Sequence, residues 1–112
     1  MGISKAEANL RVVTLKLDGR LDALEAPSLR SAIDEQLSAG PTALVIDLAD
    51  VEFVDSAGLA ALVKGMKDAR RDGGDLRLVS PVSADAMRVF KLTRFDQVFS
   101  MFDTADNAQR GW

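Results

Sequence analysis

The chain contains no cysteine, no histidine and no tyrosine among its 112 residues. Without cysteine there is no disulfide, no thiol nucleophile and no thiolate metal site. Without histidine the Ser-His-Asp and Cys-His arrangements are excluded, together with the usual general base near neutral pH. Zinc sites draw on the same two residue types, so they fall away as well. Any catalysis would rest on carboxylates, lysines and hydroxyls. No apolar run reaches the roughly 18 residues that a membrane helix requires, and the opening MGISKAEANL has no signal-peptide core. An excess of one charge is lacking too: 14 Lys and Arg face 17 Asp and Glu, a net charge of −3. A basic face for nucleic acid is missing. These exclusions lead us to expect no nucleic-acid or membrane partner, no metal, no cofactor, and by default a cytoplasmic location.

What is present suits one compact domain: 47% of the residues are hydrophobic and 28% charged. Residues 10–18 alternate, with Val13, Leu15 and Leu17 on one side, which predicts a half-buried strand ended by Gly19. Over residues 24–39, Ala26, Leu29, Ile33 and Leu37 form one helical stripe, with Pro27 in the first turn, Asp22 as a cap or near-cap, and Gly40-Pro41 as the stop. Residues 43–48, ALVIDL, form an apolar run broken only by Asp47, as expected of a strand covered on both faces, with Asp47 at its wet end or, less simply, a paired interior acid. Val51, Phe53 and Val54 lead to Asp55-Ser56. Leu59, Leu62, Val63 and Met66 then recur at helical spacing, opposite Lys64, Lys67, Asp68 and Arg71, until Gly73-Gly74. The Lys64, Lys67, Arg70 and Arg71 set reads as a solvated helix face or, less simply, as steering for an acidic partner. A short strand at 76–79, a Ser83-capped helix, a strand at 98–102 and a Thr104-capped helix complete the series, with Trp112 expected to be disordered. Strand alternating with helix predicts an α/β fold: one domain, a mostly parallel sheet and about four helices packed against it.

In such sheets, ligands and partners meet the edge where strands end and helices begin. Two turns there carry chemistry: GRLD, residues 19–22, and DSAG, residues 55–58. If their strands are parallel neighbours, Asp22, Asp55 and Ser56 come together. Ser56 would stand at a helix start, where unpartnered N–H groups accept either a hydroxyl cap or a phosphate. A phosphoserine carries about −1.5 to −2 charges. The helix dipole would favour it by roughly 0.3–1 kcal/mol, so the fold tolerates it while a docked protein does not. Gly58 would leave the edge open to a partner's backbone. The plain alternative is that Ser56 is only a cap.

Three segments resemble a known family. IDLADVEFVDSAGLAALVKGMKDARRDGGDLRLVSP, residues 46–81, is similar to the core of STAS-domain anti-sigma factor antagonists. GRLDALEAPSLRSAI, residues 19–33, resembles the family's first turn and helix, and KLTRFDQVFSMFDTADNA, residues 91–108, its closing segment. The resemblance implies a single STAS domain whose core spans about residues 10–110, and a binding protein, not an enzyme. It implies as partner an anti-sigma factor that is also a serine kinase, bound by the unphosphorylated protein so that a sigma factor is freed. It implies phosphorylation at Ser56, reversal by a PP2C-type phosphatase, and a partner surface made of Asp22, Asp55, Ser56, Ala57, Gly58 and Leu59. Two departures stand out. Ala57 occupies the place of a frequent second hydroxyl. Arg94 replaces a frequent glycine, which implies a different local turn or a differently tuned surface, with Phe95 beside it read as core packing before partner anchor.

Other readings have less behind them. A STAS-like subunit of a transporter or scaffold would leave Ser56 unphosphorylated. A small phosphatase or hydrolase using Asp55 and Ser56 lacks a histidine and a G-x-S-x-G elbow. A receiver domain would need an acidic pair after its first strand, which GRLD does not supply.

Overall fold

The computed structural model describes residues 1–4 and 10–112. Four strands alternate with four helices: β1 (Arg11–Leu21), α1 (Ala26–Leu37), β2 (Thr42–Val54), α2 (Ser56–Arg71), β3 (Asp75–Val79), α3 (Ala84–Leu92), β4 (Met101–Phe102) and α4 (Ala105–Gln109). The strands form one sheet in chain order, and every pairing among the described residues is parallel. This is the α/β architecture expected from the sequence. Right-handed crossovers that always advance the same way put α1, α2 and α3 on a single face.

The two faces of the sheet are coated differently. Leu44, Ile46 and Leu48 of β2 meet Leu29 and Ile33 of α1, Leu62 and Met66 of α2, and Phe90 of α3 in the main core. Val45 and Val79 point the other way and are covered by Ala108 of α4, with Phe102 and Trp112 against them. Cover on both faces explains why residues 43–48 read as a continuous apolar run. Edge strand β1 keeps the alternation, with Val13, Leu15 and Leu17 packed on the main core. Each fully buried Leu, Ile or Val contributes roughly 1.5–3 kcal/mol.

The structure corrects several expectations. Gly19 does not end β1: it takes φ +72° inside the strand, the register shifts there, and pairing continues to Leu21 opposite Val54. Asp47 is not at a wet end, since β2 runs on to Val54; its buried carboxylate accepts from the Ala49 N–H at 3.0 Å. The last strand holds only Met101 and Phe102, while Phe99 is buried from a turn and stacks edge-on against Phe90 and Phe95. Trp112 is docked: the Arg77 guanidinium lies 4.0 Å from its ring and 5.6 Å from that of Phe102. Arg77 Nη1 also donates to the Ala108 and Arg110 carbonyls at 3.0 and 2.7 Å. The expected caps do form at Ser83, which accepts from Ala86 N–H, and at Thr104, which accepts from Asn107 N–H.

Arg94 overturns the expectation of a different turn. It adopts φ +61°, the left-handed conformation itself, and is the one non-glycine residue to do so among those described. An L side chain there costs roughly 1–2 kcal/mol relative to glycine. Arg94→Gly should therefore stabilise the domain by about 0.5–1 kcal/mol after the extra flexibility of glycine in the unfolded chain is counted. Urea unfolding checks this through a higher midpoint at constant m-value.

Candidate functional site

The β1–α1 and β2–α2 turns lie side by side because Leu21 pairs with Val54. Asp55 joins them. Its backbone N–H donates to the Leu21 carbonyl at 3.2 Å. Its extended backbone, φ −112° and ψ −175°, makes it the N-cap of α2, and its Oδ1 accepts from Gly58 N–H at 3.0 Å. Its Oδ2 accepts from Ala23 N–H, across the gap, at 3.1 Å. One carboxylate thus caps α2 and staples the neighbouring turn. Asp22 closes that turn on itself: its Oδ1 accepts from the Leu24 and Glu25 N–H groups, each at 3.1 Å. It is a turn-former three residues ahead of the cap position, since Glu25 stands at the N-cap of α1 without a side-chain bond. Arg20 approaches Asp22 Oδ2 at 3.4 Å and lies 4.1 Å from the Phe53 ring.

These contacts leave Ser56 free. It is the first residue of α2, it is exposed, and its hydroxyl forms no hydrogen bond among the described residues. The capping role that Ser56 shared in the sequence reading belongs to Asp55. The amides of Ser56 and Ala57 lie in the first turn, where α-helices offer no internal acceptor.

Gly58 is not an opening for a partner's backbone. It is buried, and a Cβ there would collide with the Leu21 carbonyl and lie 2.8 Å from Leu21 Cγ. Leu59 is likewise inside, 3% exposed, and Ala57 is half-buried against the core. Of the six residues expected at the surface, Ser56 is therefore exposed, Asp22, Asp55 and Ala57 are partly so, and Gly58 and Leu59 lie inside.

Sequence reasoning missed two features beside Ser56. Leu24 projects from the stapled turn 83% exposed. A groove of about 650 Å³ runs along α2 from Ser56 past Ala60, Val63 and Lys67, with Thr93 and Phe95 as its far wall. Phe95 is half-buried, so it serves both the core and this wall. A large apolar residue in a two-turn rim and the Arg94-Phe95 pair were the signals for them. On the same helix Lys64 binds Asp68 at 2.8 Å and Arg71 approaches it at 3.4 Å. The Lys64 hydrogen bond, with the charges of Lys64, Arg71 and Arg30, outweighs partial burial and holds the Asp68 carboxyl below its usual range. Such a lowered group stabilises the fold above its unfolded pKa and loses that contribution as the pH falls through the folded one. Among the described residues no cluster of three acidic side chains could hold a metal, and no helix is long and apolar enough to cross a membrane.

The chain belongs to the STAS domain family, whose model matches residues 4–108. It is 34% identical over 101 residues to the anti-sigma-F factor antagonist RsfB of Mycobacterium tuberculosis, covering 89% of this chain and 80% of the relative. The crystal structure of an anti-sigma factor antagonist from Mycobacterium paratuberculosis superposes with a TM-score of 0.72 at 32% identity, over 91% of this chain and 86% of the other. SpoIIAA in its unphosphorylated form shares the fold with a TM-score of 0.73 at 20% identity, over 92% and 89% of the two chains.

Three substitutions test the geometry. Gly58→Ala should destabilise by about 1–3 kcal/mol through overpacking against Leu21. Asp55→Ala, which frees two N–H groups, should cost about 1–2 kcal/mol, while Ser56→Ala changes stability by no more than about 0.5 kcal/mol. Urea denaturation of the three variants beside the wild type provides the comparison; a Ser56→Ala loss as large as that of Asp55→Ala would return the cap to Ser56.

Proposed function

We propose that the protein is an anti-sigma factor antagonist switched by phosphorylation of Ser56. In the unphosphorylated state it binds an anti-sigma factor that is also a serine kinase, and so frees a sigma factor. Phosphate on Ser56 breaks that complex, and a PP2C-type phosphatase restores it. The protein acts by binding in the cytoplasm and turns over no substrate of its own. Relatives named anti-sigma factor antagonists support this reading at 34% and 32% identity. The observation that carries it is the division of labour between neighbours: Asp55 takes the cap, and Ser56 is left exposed with an uncommitted hydroxyl.

The physical consequences follow. An exposed hydroxyl at a helix start can enter a kinase active site without unfolding the domain. The added phosphate sits at the positive end of the α2 dipole, which stabilises it by roughly 0.3–1 kcal/mol. For a docked partner the same group is new charge and bulk, and a mismatch of several kcal/mol is ample when about 1.4 kcal/mol is tenfold in affinity. The docking surface is centred on Ser56, with Asp22 and the edge of Ala57 beside it. Gly58 and Leu59 shape it from beneath.

Incubated with ATP and a purified kinase-type anti-sigma factor from the same genome, the wild type should gain one phosphate by intact mass and Ser56→Ala none. Ser56→Asp should bind that kinase at least tenfold more weakly with its thermal midpoint almost unchanged. An unmodified wild type, or equal phosphate uptake by Ser56→Ala, would remove the switch and favour a permanently unphosphorylated subunit of a transporter or scaffold.

A further inference from the structure

The groove along α2 begins at Ser56. Its floor and walls are apolar where Ala60, Val63 and Phe95 face one another, and Lys67 stands on its rim. Lys64 is tied to Asp68, whereas Lys67 has no carboxylate partner among the described residues. Only Thr93 and Phe95 of the far segment line the groove; Lys91 and Arg94 flank them in sequence, both exposed and without an ion pair among the described residues, against Asp96 as the one acid between residues 91 and 100. In a chain of net charge −3, this is a local excess of positive charge around apolar surface. The wall is also held at a cost. Arg94 keeps φ +61° between Thr93 and Phe95, and strain of this kind gathers at binding sites.

We propose that this groove is the second half of the docking surface and accepts an apolar segment of the anti-sigma factor kinase that is flanked by carboxylates. The inference rests on the partner assigned under Proposed function and specifies how it is gripped. The segment lies along α2 with its apolar side chains on Ala60, Val63 and Phe95 and its acids towards Lys67. This placement also gives the switch its sign. Phosphate on Ser56 puts about −1.5 to −2 charges at the end of the groove. There it repels the bound carboxylates and draws on the positive field that holds them.

Calorimetric titration of the same purified kinase with nucleotide into groove variants tests this. Lys67→Glu should weaken binding at least tenfold and flatten its salt dependence, and Val63→Ser should weaken it several-fold. Lys67→Arg should bind as wild type, as should Arg88→Glu, an equal charge reversal on the outer side of α3. Circular dichroism of all four should match the wild type; the thermal midpoints of the Lys67 and Arg88 variants should match too, since both residues are exposed, while Val63→Ser, half-buried against the core, should melt somewhat lower but stay folded at the titration temperature. If Lys67→Glu and Val63→Ser bind like wild type while Ser56→Asp has lost binding, the switch stands and the groove proposal falls. If wild type itself does not bind the kinase, the partner assignment fails and the groove proposal with it. A dimer seen by light scattering without kinase, and dissolved by Lys67→Glu, would give the groove to a second copy of the chain and overturn the proposal.

Discussion

The site depends on one carboxylate with two obligations. Asp55 accepts from Gly58 N–H in its own helix and from Ala23 N–H in the neighbouring turn. A hydrogen bond to an ionised acceptor is worth more than a neutral one, and a buried N–H left unpaired is costly. The two hydrogen bonds therefore hold two loops from different parts of the chain side by side. It also decides what Ser56 is. With the cap filled by its predecessor, the serine contributes nothing that folding requires, and its hydroxyl is available to chemistry from outside.

The rest of the fold keeps that rim rigid. The first turn of α2 can approach β1 only because Gly58 has no side chain to meet the Leu21 carbonyl. The 13 residues of β2 run without interruption to Val54, one residue before the cap, so the rim is carried by the central strand and not by a loose loop. That strand is covered by α1, α2 and α3 on one face, and on the other by α4 and the Arg77-Trp112 stack. In the proposed switch, a surface so supported would take up a phosphate without changing its shape.

Charge is distributed unevenly around this rim. Asp18, Asp22 and Glu25 lie on the β1–α1 side, where Arg20 is drawn to Asp22 and Phe53. On the groove side stand the Lys64–Asp68 pair and Lys67. Exposed ion pairs such as Lys16–Asp50, at 3.4 Å, add little to stability, so this division bears on recognition more than on folding.

Much of the fold was legible because it rests on local rules. The helical stripe of Ala26, Leu29, Ile33 and Leu37 and the caps at Ser83 and Thr104 depend on neighbours a few positions away, and the apolar run of residues 43–48 signals a strand covered on both faces. The meeting of the two turns also followed once strands and helices alternated, because parallel crossovers allow little else. What the sequence left open were contacts set by register between residues some 30 positions apart. The second bond of Asp55, the close approach of Leu21 to Gly58, the continuation of β1 through Gly19 and the docking of Trp112 on Arg77 are of this kind. A glycine, an aspartate or a terminal tryptophan has many local uses, and only the strand or side chain placed opposite selects among them. Local chemistry thus determined which segments are strands and helices, where Ser56 falls and that an aspartate stands before it as a cap; tertiary packing alone decided that the same carboxylate would also hold the neighbouring turn and that Gly58 would be sealed against Leu21.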